Sequence, residues 1–437
     1  MALIDLCSTR SRAGRKRLEK LLSRGDQLLD RKVLEKAGKI VAGVRQGGDH
    51  ALLRAAAKYD GSSARSVADL RLKIGPVDSR LLQPGFEEAF ERALAAVERY
   101  HEAQRHPGFT LESEGVQLVE RRAPLRRVGL YVPGGRAAYP SSVLMTVVPA
   151  RLAGVPEIVI TTPALSFERN AALRYALNRL GLTEVWGLGG AHAVAALAYG
   201  TESIARVDKI AGPGNSWVTA AKFLVSQHVA IDSLAGPSEV LIVAGGDGSR
   251  HSPLAATLAA DLLAQAEHDP QATAVLLTDD ERLAKATEKE LRLQLADLPT
   301  AAVARASLAA NGAILLVADL EEALELTEAI APEHLQLVGR AEALAERVHN
   351  AGAIFVGASS PEVFGDYLAG PSHVLPTAGT ARFASGLAVE DFVRRSHRIR
   401  YSPEAAARVA EAAAIFADVE GLPAHARAAR RRLGGAR

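Results

Sequence analysis

Short, continuously apolar segments alternate with helical stretches along most of the chain, and this alternation constrains the fold more than any other feature. From Val128 onward, segments such as "VGLYVP", "EIVITTP" and "DKIAGPG" are separated by stretches with helical spacing, and the rhythm resumes near residue 237 with "EVLIVAGG", "TAVLLT" and "AIFVG". Strands that are apolar throughout and separated by helices are typical of parallel sheets covered on both faces. The pattern therefore predicts an α/β protein.

The length of 437 residues exceeds what one hydrophobic core usually supports. We predict two Rossmann-like parallel-sheet domains with helical N-terminal and C-terminal extensions. The predicted boundaries are 1–27 for the N-terminal extension, 28–130 together with 238–376 for the first domain, 131–237 for the second, and 377–437 for the C-terminal tail. The tail is rich in arginine and too short to hold its own core, so we expect it to pack on another body, such as a second subunit.

Charge and cysteine content exclude several classes of partner. The chain has 52 Lys+Arg against 50 Asp+Glu, a net charge of +2, which predicts neither nucleic-acid nor membrane binding. The basic end "HARAARRRLGGAR" could be a nucleic-acid arm, but without interleaved aromatic residues it is more typical of a solvated helix end. Cys7 is the one cysteine, which excludes intramolecular disulfides and predicts a reducing, cytoplasmic location. No apolar run suits a signal peptide or a membrane span.

Three loops next to apolar strands combine glycine with proline. They are "YVPGGRAAYP" (131–140), "AGPGNSW" (211–217) and "LAGPSE" (234–239). Such loops let backbone N–H groups approach a ligand at the carboxyl ends of strands, although a tight turn explains any one of them equally well. The segment "WGLGGAHAVAALAYG" lacks the dinucleotide-binding fingerprint, because His192 replaces the third glycine after Gly187 and Gly189. The loops together favour a nucleotide or another anion, without the standard motif.

Four segments each place a histidine near a carboxylate or a glutamine. They are Gln265 with His268, Glu333 with His334, Asp366 with His373, and Glu420 with His425. Any one of these pairs is ordinary in a folded protein. Gln265 and His268 lie three residues apart on a predicted helix, so a cation could bridge them. The four segments together suit one site of nitrogen and oxygen ligands with acid–base groups beside it.

The order and approximate spacing of five motifs resemble the histidinol dehydrogenase family from about residue 30 to the end of the chain. The motifs are "IDSLAGPSEVLIVA", "DLLAQAEHD", "IAPEHLQL", "GDYLAGPSHVLPT" and "EGLPAH". The resemblance implies NAD-dependent oxidation of L-histidinol to L-histidine through an aldehyde, the last step of histidine biosynthesis. It also implies one Zn2+ per subunit and a homodimer with shared active sites.

The same resemblance implies roles for individual residues. The implied zinc ligands are Gln265, His268, Asp366 and His425. The implied catalytic residues are His334, as general base, and Glu333, which activates water. The implied substrate contacts are Ser238, Gln265, His268, His334, Asp366, His373, Glu420 and His425, and the implied NAD contacts are Tyr131, His192 and Asn215. In the family, His425 and Glu420 complete the site of the opposite subunit.

The chemistry agrees with these residue types. Alcohol oxidation needs a base for the hydroxyl proton while hydride leaves the carbon, and histidine accepts protons near neutral pH. The aldehyde must then be hydrated, for which Glu333 is a reasonable activating group. Cys7 lies far from every motif, so a cysteine thiohemiacetal is not expected. A zinc ion without a thiolate ligand would anchor the substrate more than it would generate hydroxide.

Two positions depart from the family pattern, and one other function competes. His192 stands where the family usually has glutamine, and Ser372 stands where asparagine commonly precedes the histidine of "HVLPT". The alternative is a zinc-dependent hydrolase or lyase in which Glu333 activates a zinc-bound water. That alternative explains the metal ligands but assigns no role to the glycine-proline loops or to the paired α/β units.

Overall fold

The computed structural model describes residues 3–134, 139–246 and 253–434. Its strands, in chain order, are β1 (Asp5–Ser8), β2 (Phe109–Ser113), β3 (Val116–Pro124), β4 (Arg127–Tyr131), β5 (Glu157–Thr162), β6 (Val185–Gly187), β7 (Lys209–Ala211), β8 (Ala230–Ile231), β9 (Glu239–Gly245), β10 (Thr273–Thr278), β11 (Ala313–Leu316), β12 (His334–Gly339), β13 (Ala353–Val356) and β14 (Val393–Tyr401).

The α-helices, in the same order, are α1 (Arg12–Leu22), α2 (Arg31–Ala55), α3 (Phe86–Glu102), α4 (Pro140–Leu152), α5 (Ala164–Arg169), α6 (Ala171–Arg179), α7 (Gly190–Tyr199), α8 (Ser216–Val225), α9 (Leu254–Ala266), α10 (Glu281–Ala296), α11 (Ala301–Asn311), α12 (Leu320–Ile330), α13 (Glu362–Tyr367), α14 (Pro403–Val419) and α15 (Pro423–Arg430). Within the described ranges, no helix is long and apolar enough to span a membrane.

The first parallel sheet has five strands in the order β6-β5-β4-β7-β8. The chain enters at the central strand, moves outward on one side and returns to the other, which is the Rossmann order. Helices α4 and α6 cover one face of this sheet, and α7 and α8 cover the other. Strands covered on both faces are apolar throughout, which explains the pattern in the sequence.

The second parallel sheet has six strands in the order β1-β11-β10-β9-β12-β13. Strands β9 to β13 repeat the Rossmann order, and the direction of winding reverses between β9 and β12. Helices α9, α10 and α11 pack on one face, while α1 and α12 pack on the other. The prediction of an α/β fold with two Rossmann-like parallel sheets is confirmed.

In the N-terminal third, the segments pack on other sheets than the predicted domain boundaries implied. Residues 5–8 form β1, which pairs with β11 at the edge of the six-stranded sheet, so the extension 1–27 is not helical throughout. Within the segment 28–130, α2 packs on α7 and α8, and α3 packs on α4. These helices bury their apolar faces against the helices that cover the five-stranded sheet, and β4 is the central strand of that sheet.

A third, antiparallel sheet of three strands, in the order β14-β3-β2, was not predicted. It joins the hairpin of β2 and β3 to β14, which lies inside the tail 377–437 that was expected to be helical. The end of the tail does form two helices, α14 and α15, and these pack on each other. Phe416 and Val419 on α14 remain exposed in the single chain.

Candidate active site

The site lies at the amino ends of two neighbouring strands of the six-stranded sheet. Glu333 and His334 stand at the start of β12, and Ser238 stands immediately before β9. The two strands are parallel, with His334 in register with Val240. The loop "LAGPSE" therefore precedes its strand and lies at the amino edge of the sheet, not at the carboxyl edge where open α/β sheets usually bind ligands.

Glu333 is held in a fixed orientation at this edge. Its Oε2 accepts hydrogen bonds from the Ser238 hydroxyl and from the Glu239 N–H, each at 2.8 Å. Burial raises the pKa of Glu333 well above its usual range, although the Glu239 N–H and the Ser238 hydroxyl act in the opposite direction. A carboxyl group with a raised pKa is able to exchange a proton at neutral pH, as a general acid or base must.

His334 is also buried, and its ring orientation is set by one backbone atom. Its Nδ1 lies 3.0 Å from the carbonyl oxygen of Glu239. A carbonyl only accepts, so Nδ1 must carry the hydrogen, and in the neutral ring Nε2 is left with a lone pair. The distance of 3.6 Å between His334 Nδ1 and Glu333 Oε2 is too long for a second hydrogen bond. His334 is thus prepared to accept a proton at Nε2.

A group able to hold a metal ion lies beside this pair. One ligand atom from each of His268, Glu362 and Asp366 lies within 4.8 Å of the others, and His268 Nε2 is 3.9 Å from Asp366 Oδ2. Helix α9 ends at Ala266, so His268 projects from the turn that follows it. Asp366 and His268 were predicted from the sequence, whereas Glu362 was missed. Its spacing of four residues from Asp366 on one helix is the signal that could have identified it.

The donor atoms available here fit a divalent cation. Gln265 is 0% exposed, and neither its Oε1 nor its Nε2 has a hydrogen-bond partner among the described residues. Glu362 is 2% exposed, and its Oε2 likewise has no hydrogen-bond partner among the described residues. Buried polar atoms without partners are costly, and a metal ion would satisfy the oxygen atoms of both side chains. Imidazole, carboxylate and amide ligands without a thiolate are compatible with Zn2+.

Glu362 lies in a strongly acidic surrounding. Burial raises its pKa to about 8, against the influence of His334, and the neighbouring Asp366, Glu333 and Asp261 raise it further. A bound cation would reverse this effect, because its charge stabilises the ionised carboxylate. The electrostatics of the cluster therefore favour a positive ion between these side chains.

His373 joins the site to the other domain. Its Nδ1 lies 3.1 Å from the carbonyl oxygen of Asp366, and its Nε2 lies 3.3 Å from the hydroxyl of Ser142, near the start of α4. Burial lowers the pKa of His373, while Asp366 raises it. Ser372 donates a hydrogen bond to the Met145 carbonyl at 3.0 Å, which fastens the same loop to α4. The beginning of α4, at the carboxyl edge of the five-stranded sheet, thus lies beside the histidine and carboxylate cluster.

Two of the predicted residues are not part of this cluster in one chain. Glu420 follows α14, and His425 lies on α15. Both are exposed, and His425 does not belong to the metal-holding group found among the described residues. Their assignment to the site of a second subunit stays a prediction.

The three residues predicted to contact NAD lie at the carboxyl edge of the five-stranded sheet. The hydroxyl of Tyr131, at the end of β4, accepts the N–H of Gly190 at 3.1 Å. Burial raises the pKa of Tyr131 to about 12. His192 is 1% exposed and its Nε2 lies 2.7 Å from Asp60 Oδ2. Asn215 caps α8, since its Oδ1 accepts the N–H groups of the two residues after Ser216.

The glycine-proline loop 131–140 is described only in part, because residues 135–138 lie outside the described ranges. The loop 211–217 is held by a buried ion pair. Lys222 Nζ donates to Asp232 Oδ1 and to the Gly212 carbonyl, each at 2.6 Å. Asp232 in turn accepts the Gly212 N–H at 2.7 Å. This loop, which contains Asn215, therefore has a rigid base.

Two Rossmann-like domains, with the buried Glu333 and His334 and a metal-holding group where they meet, are typical of a two-domain α/β enzyme. The sequence profile of the histidinol dehydrogenase family matches residues 23–433. The chain is 46% identical over 407 residues to the histidinol dehydrogenase of Acinetobacter baylyi, covering 92% of this chain and 94% of that protein. It is also 46% identical over 411 residues to the histidinol dehydrogenase of Bacillus cereus, covering 94% of both chains.

A solved structure gives the same result. The crystal structure of histidinol dehydrogenase from Elizabethkingia anophelis superposes with a TM-score of 0.86 at 28% sequence identity, covering 99% of each chain. The chain belongs to the histidinol dehydrogenase family. The family resemblance predicted from the five sequence motifs is confirmed, and the protein is an enzyme of this family.

Proposed function

We propose that the protein oxidises L-histidinol to L-histidine with NAD, the final step of histidine biosynthesis, and that Glu333 and His334 are its acid–base residues. Family membership gives the histidinol dehydrogenase activity itself. The observation that carries the assignment of residues is the position of the buried Glu333 and His334 next to the metal-holding group of His268, Glu362 and Asp366.

The first half of the reaction removes a proton from the alcohol. His334 is suited to take this proton at Nε2, because the Glu239 carbonyl holds the hydrogen of the neutral ring at Nδ1. Hydride leaves the same carbon, and NAD, when bound, accepts it. The product of this half is the aldehyde, which must stay in the site for the second half.

The second half needs a water molecule, because an aldehyde can lose hydride only after it has been hydrated. Glu333 is suited to take a proton from this water. Its raised pKa makes it a stronger base, once ionised, than an exposed glutamate, and Ser238 and the Glu239 N–H keep its carboxylate oriented. His334, protonated in the first half, can return that proton to the aldehyde oxygen, which completes the hydrate and leaves the ring neutral. It can then take the proton of one hydrate hydroxyl as the second hydride leaves. Two hydrides leave in total for each L-histidine formed.

Gln265, His268 and Asp366 are the residues that would hold the zinc ion, with Glu362 beside them. The ion, when bound, supplies an anchor for the imidazole and amine nitrogens of the substrate. His373 is placed to contact the substrate from the side of α4, together with Ser238. The substrate is proposed to lie between the two domains, and Tyr131, His192 and Asn215 are the proposed NAD contacts.

We also propose a homodimer in which Glu420 and His425 reach the site of the second subunit. The exposed apolar side chains of Phe416 and Val419 on α14 support a contact that is absent from the single chain. A biosynthetic role and the single reduced Cys7 support the predicted cytoplasmic location.

The direct test follows the absorbance of NADH when purified enzyme is given L-histidinol and NAD at neutral to alkaline pH. We expect two molecules of NADH for each L-histidine and a loss of the rate after chelation that added Zn2+ restores. A protein that releases no NADH with zinc bound would contradict the proposal and favour the zinc-dependent hydrolase or lyase.

A further inference from the structure

We propose that Arg24 and Glu239 are a pair of positioning residues that hold the acid–base residues Glu333 and His334 in their working geometry. The inference rests on the proposed function of these two residues. It assigns a role to the N-terminal segment, which no sequence motif indicated.

Glu239 contacts both acid–base residues through three different groups. Its backbone N–H donates to Glu333 Oε2 at 2.8 Å, and its backbone carbonyl accepts from His334 Nδ1 at 3.0 Å. Its side-chain Oε1 accepts the Glu333 N–H at 3.2 Å and the Ala378 N–H at 3.1 Å. A displacement of Glu239 would therefore change the orientation of the Glu333 carboxylate and of the His334 ring together.

Arg24 is the partner that keeps the Glu239 side chain in place. Its Nε lies 2.5 Å from Glu239 Oε2 and its Nη2 lies 2.7 Å from Glu239 Oε1, a two-point contact between guanidinium and carboxylate. The side chains of Arg24 and Glu239 are 14% and 5% exposed. Removal of one partner from such a pair leaves the other charge buried and uncompensated, which is strongly destabilising for the local arrangement.

Arg24 also holds the loop that leads to the acid–base residues. Its Nη2 donates to the Ile330 carbonyl at 2.7 Å. The next residue, Ala331, has a φ of 47°, in the left-handed region that non-glycine residues rarely adopt. One guanidinium thus joins the start of β9, through Glu239, to the segment before β12, through Ile330. The contact fixes the position of the start of β9 relative to the segment that leads to Glu333 and His334.

The test compares Arg24→Met with the wild-type enzyme in steady-state kinetics, zinc content and thermal unfolding. We expect kcat to fall on the order of 100-fold, the loss typical of a misplacement of about 1 Å in an active site. The KM for L-histidinol and the bound zinc should stay near the wild-type values, because Gln265, His268 and Asp366 do not contact Arg24. Arg24→Lys keeps the charge but not the two-point contact, and should recover part of kcat.

Two further variants separate positioning from stability. The double variant Arg24→Met with Glu239→Gln removes both charges, and we expect it to be more active than Arg24→Met alone. Arg17→Met is the matched control, because Arg17 makes the same kind of contacts in the N-terminal segment, to Asp5 Oδ2 at 2.6 Å and to the Ala310 carbonyl at 2.7 Å, away from the site. It should lower the melting temperature with kcat retained.

The outcomes distinguish this inference from the proposed function. A folded Arg24→Met enzyme with wild-type kcat, or equal losses of kcat in Arg24→Met and Arg17→Met, would overturn the positioning role. If Arg24→Met does not fold, a wild-type kcat in folded Arg24→Lys and in the double variant overturns it equally. A wild-type enzyme that forms no NADH from L-histidinol would instead overturn the proposed function.

Discussion

Asp60 Oδ2 lies 2.7 Å from His192 Nε2 and also accepts the N–H of Gly189 at 3.1 Å, so a residue that follows α2 fixes the beginning of α7. A carboxylate only accepts from the ring, so His192 Nε2 carries a hydrogen. In the neutral ring this N–H is donated to Asp60, and Nδ1 is left with a lone pair that accepts a hydrogen bond, whereas the glutamine usual in the family also offers an N–H. Asp60 is the residue that determines which nitrogen of His192 donates.

We expect Asp60→Asn to raise the KM for NAD on the order of tenfold, because a hydrogen bond to a charged group contributes about 1.5 to 3 kcal/mol. The kcat at saturating NAD should change little. Asp49→Asn is the control, since Asp49 accepts hydrogen bonds from Ser203, which follows the C-terminal end of α7, whereas Asp60 holds the beginning of that helix. An equal rise of the KM for NAD in both variants would contradict a role for Asp60 at the cofactor site.

We expect His268→Asn and Asp366→Asn each to lose zinc and activity together, because each removes a proposed ligand. Glu362→Gln should lower the zinc affinity by about 10-fold to 100-fold, the range for a group next to the ligands. Glu267→Gln is a matched control. Glu267 follows α9, as His268 does, but its Oε2 accepts a hydrogen bond from the Thr300 hydroxyl. Zinc content measured after dialysis decides the question, and full zinc in His268→Asn would contradict the ligand assignment.

We expect Glu333→Gln to slow the aldehyde-to-acid step more than the alcohol step, because the second half of the reaction alone needs water. The two steps are measured separately, with L-histidinol and with the aldehyde as substrates. Ser238→Ala removes one of the two hydrogen bonds to Glu333 Oε2 and should show a smaller change of the same kind. Equal losses in both steps for Glu333→Gln would indicate a structural role for this residue.

We expect the zinc-free enzyme to lose stability as the pH rises from 4.5 to about 8. Burial raises the pKa of Glu362 from 4.5 to about 8 in the folded chain, so the folded state binds more protons than the unfolded state in this window. The contribution of Glu362 to the free energy of unfolding is fully present below pH 4.5, and it is lost as the pH rises through the pKa of about 8 in the folded chain. Urea unfolding of the zinc-free enzyme at pH 6 and pH 9 should show a smaller decrease for Glu362→Gln than for the wild type. An identical decrease in both would exclude Glu362 as its cause.

Strands buried on both faces could be predicted from the sequence, whereas exposed strands could not. Strand β9 is buried along its whole length and β5 over its last four residues, and both contain an apolar run, because helices cover both faces of their sheets. Strand β14 reads "VRRSHRIRY" and is exposed along nearly its whole length, so it has no apolar run. Strand β1 has four residues and is equally hard to recognise. Both exist because they pair with distant strands, which local sequence does not encode.

In the proposed site, too, some residues could be predicted from the sequence and others could not. Glu333, His334, His268 and Asp366 lie in motifs that the family resemblance identified, and the structure brings them to one place. Glu239 became visible only through its contacts, because a carboxylate at a strand start has no distinctive pattern of its own. Glu362 had one signal in the sequence, its spacing of four residues from Asp366. The role proposed for His425 concerns the site of a second subunit.

The pairing of β1 with β11 has a consequence for the order in which the chain can fold. Asp5 lies beside Ala313, so this edge of the six-stranded sheet can close only after most of the chain has been synthesised. Until then the open edge of β11 can pair with another molecule, and such edges promote aggregation. Arg24 lies in the segment that β1 attaches to the sheet. The acid–base residues would therefore acquire their final geometry in one of the last folding events.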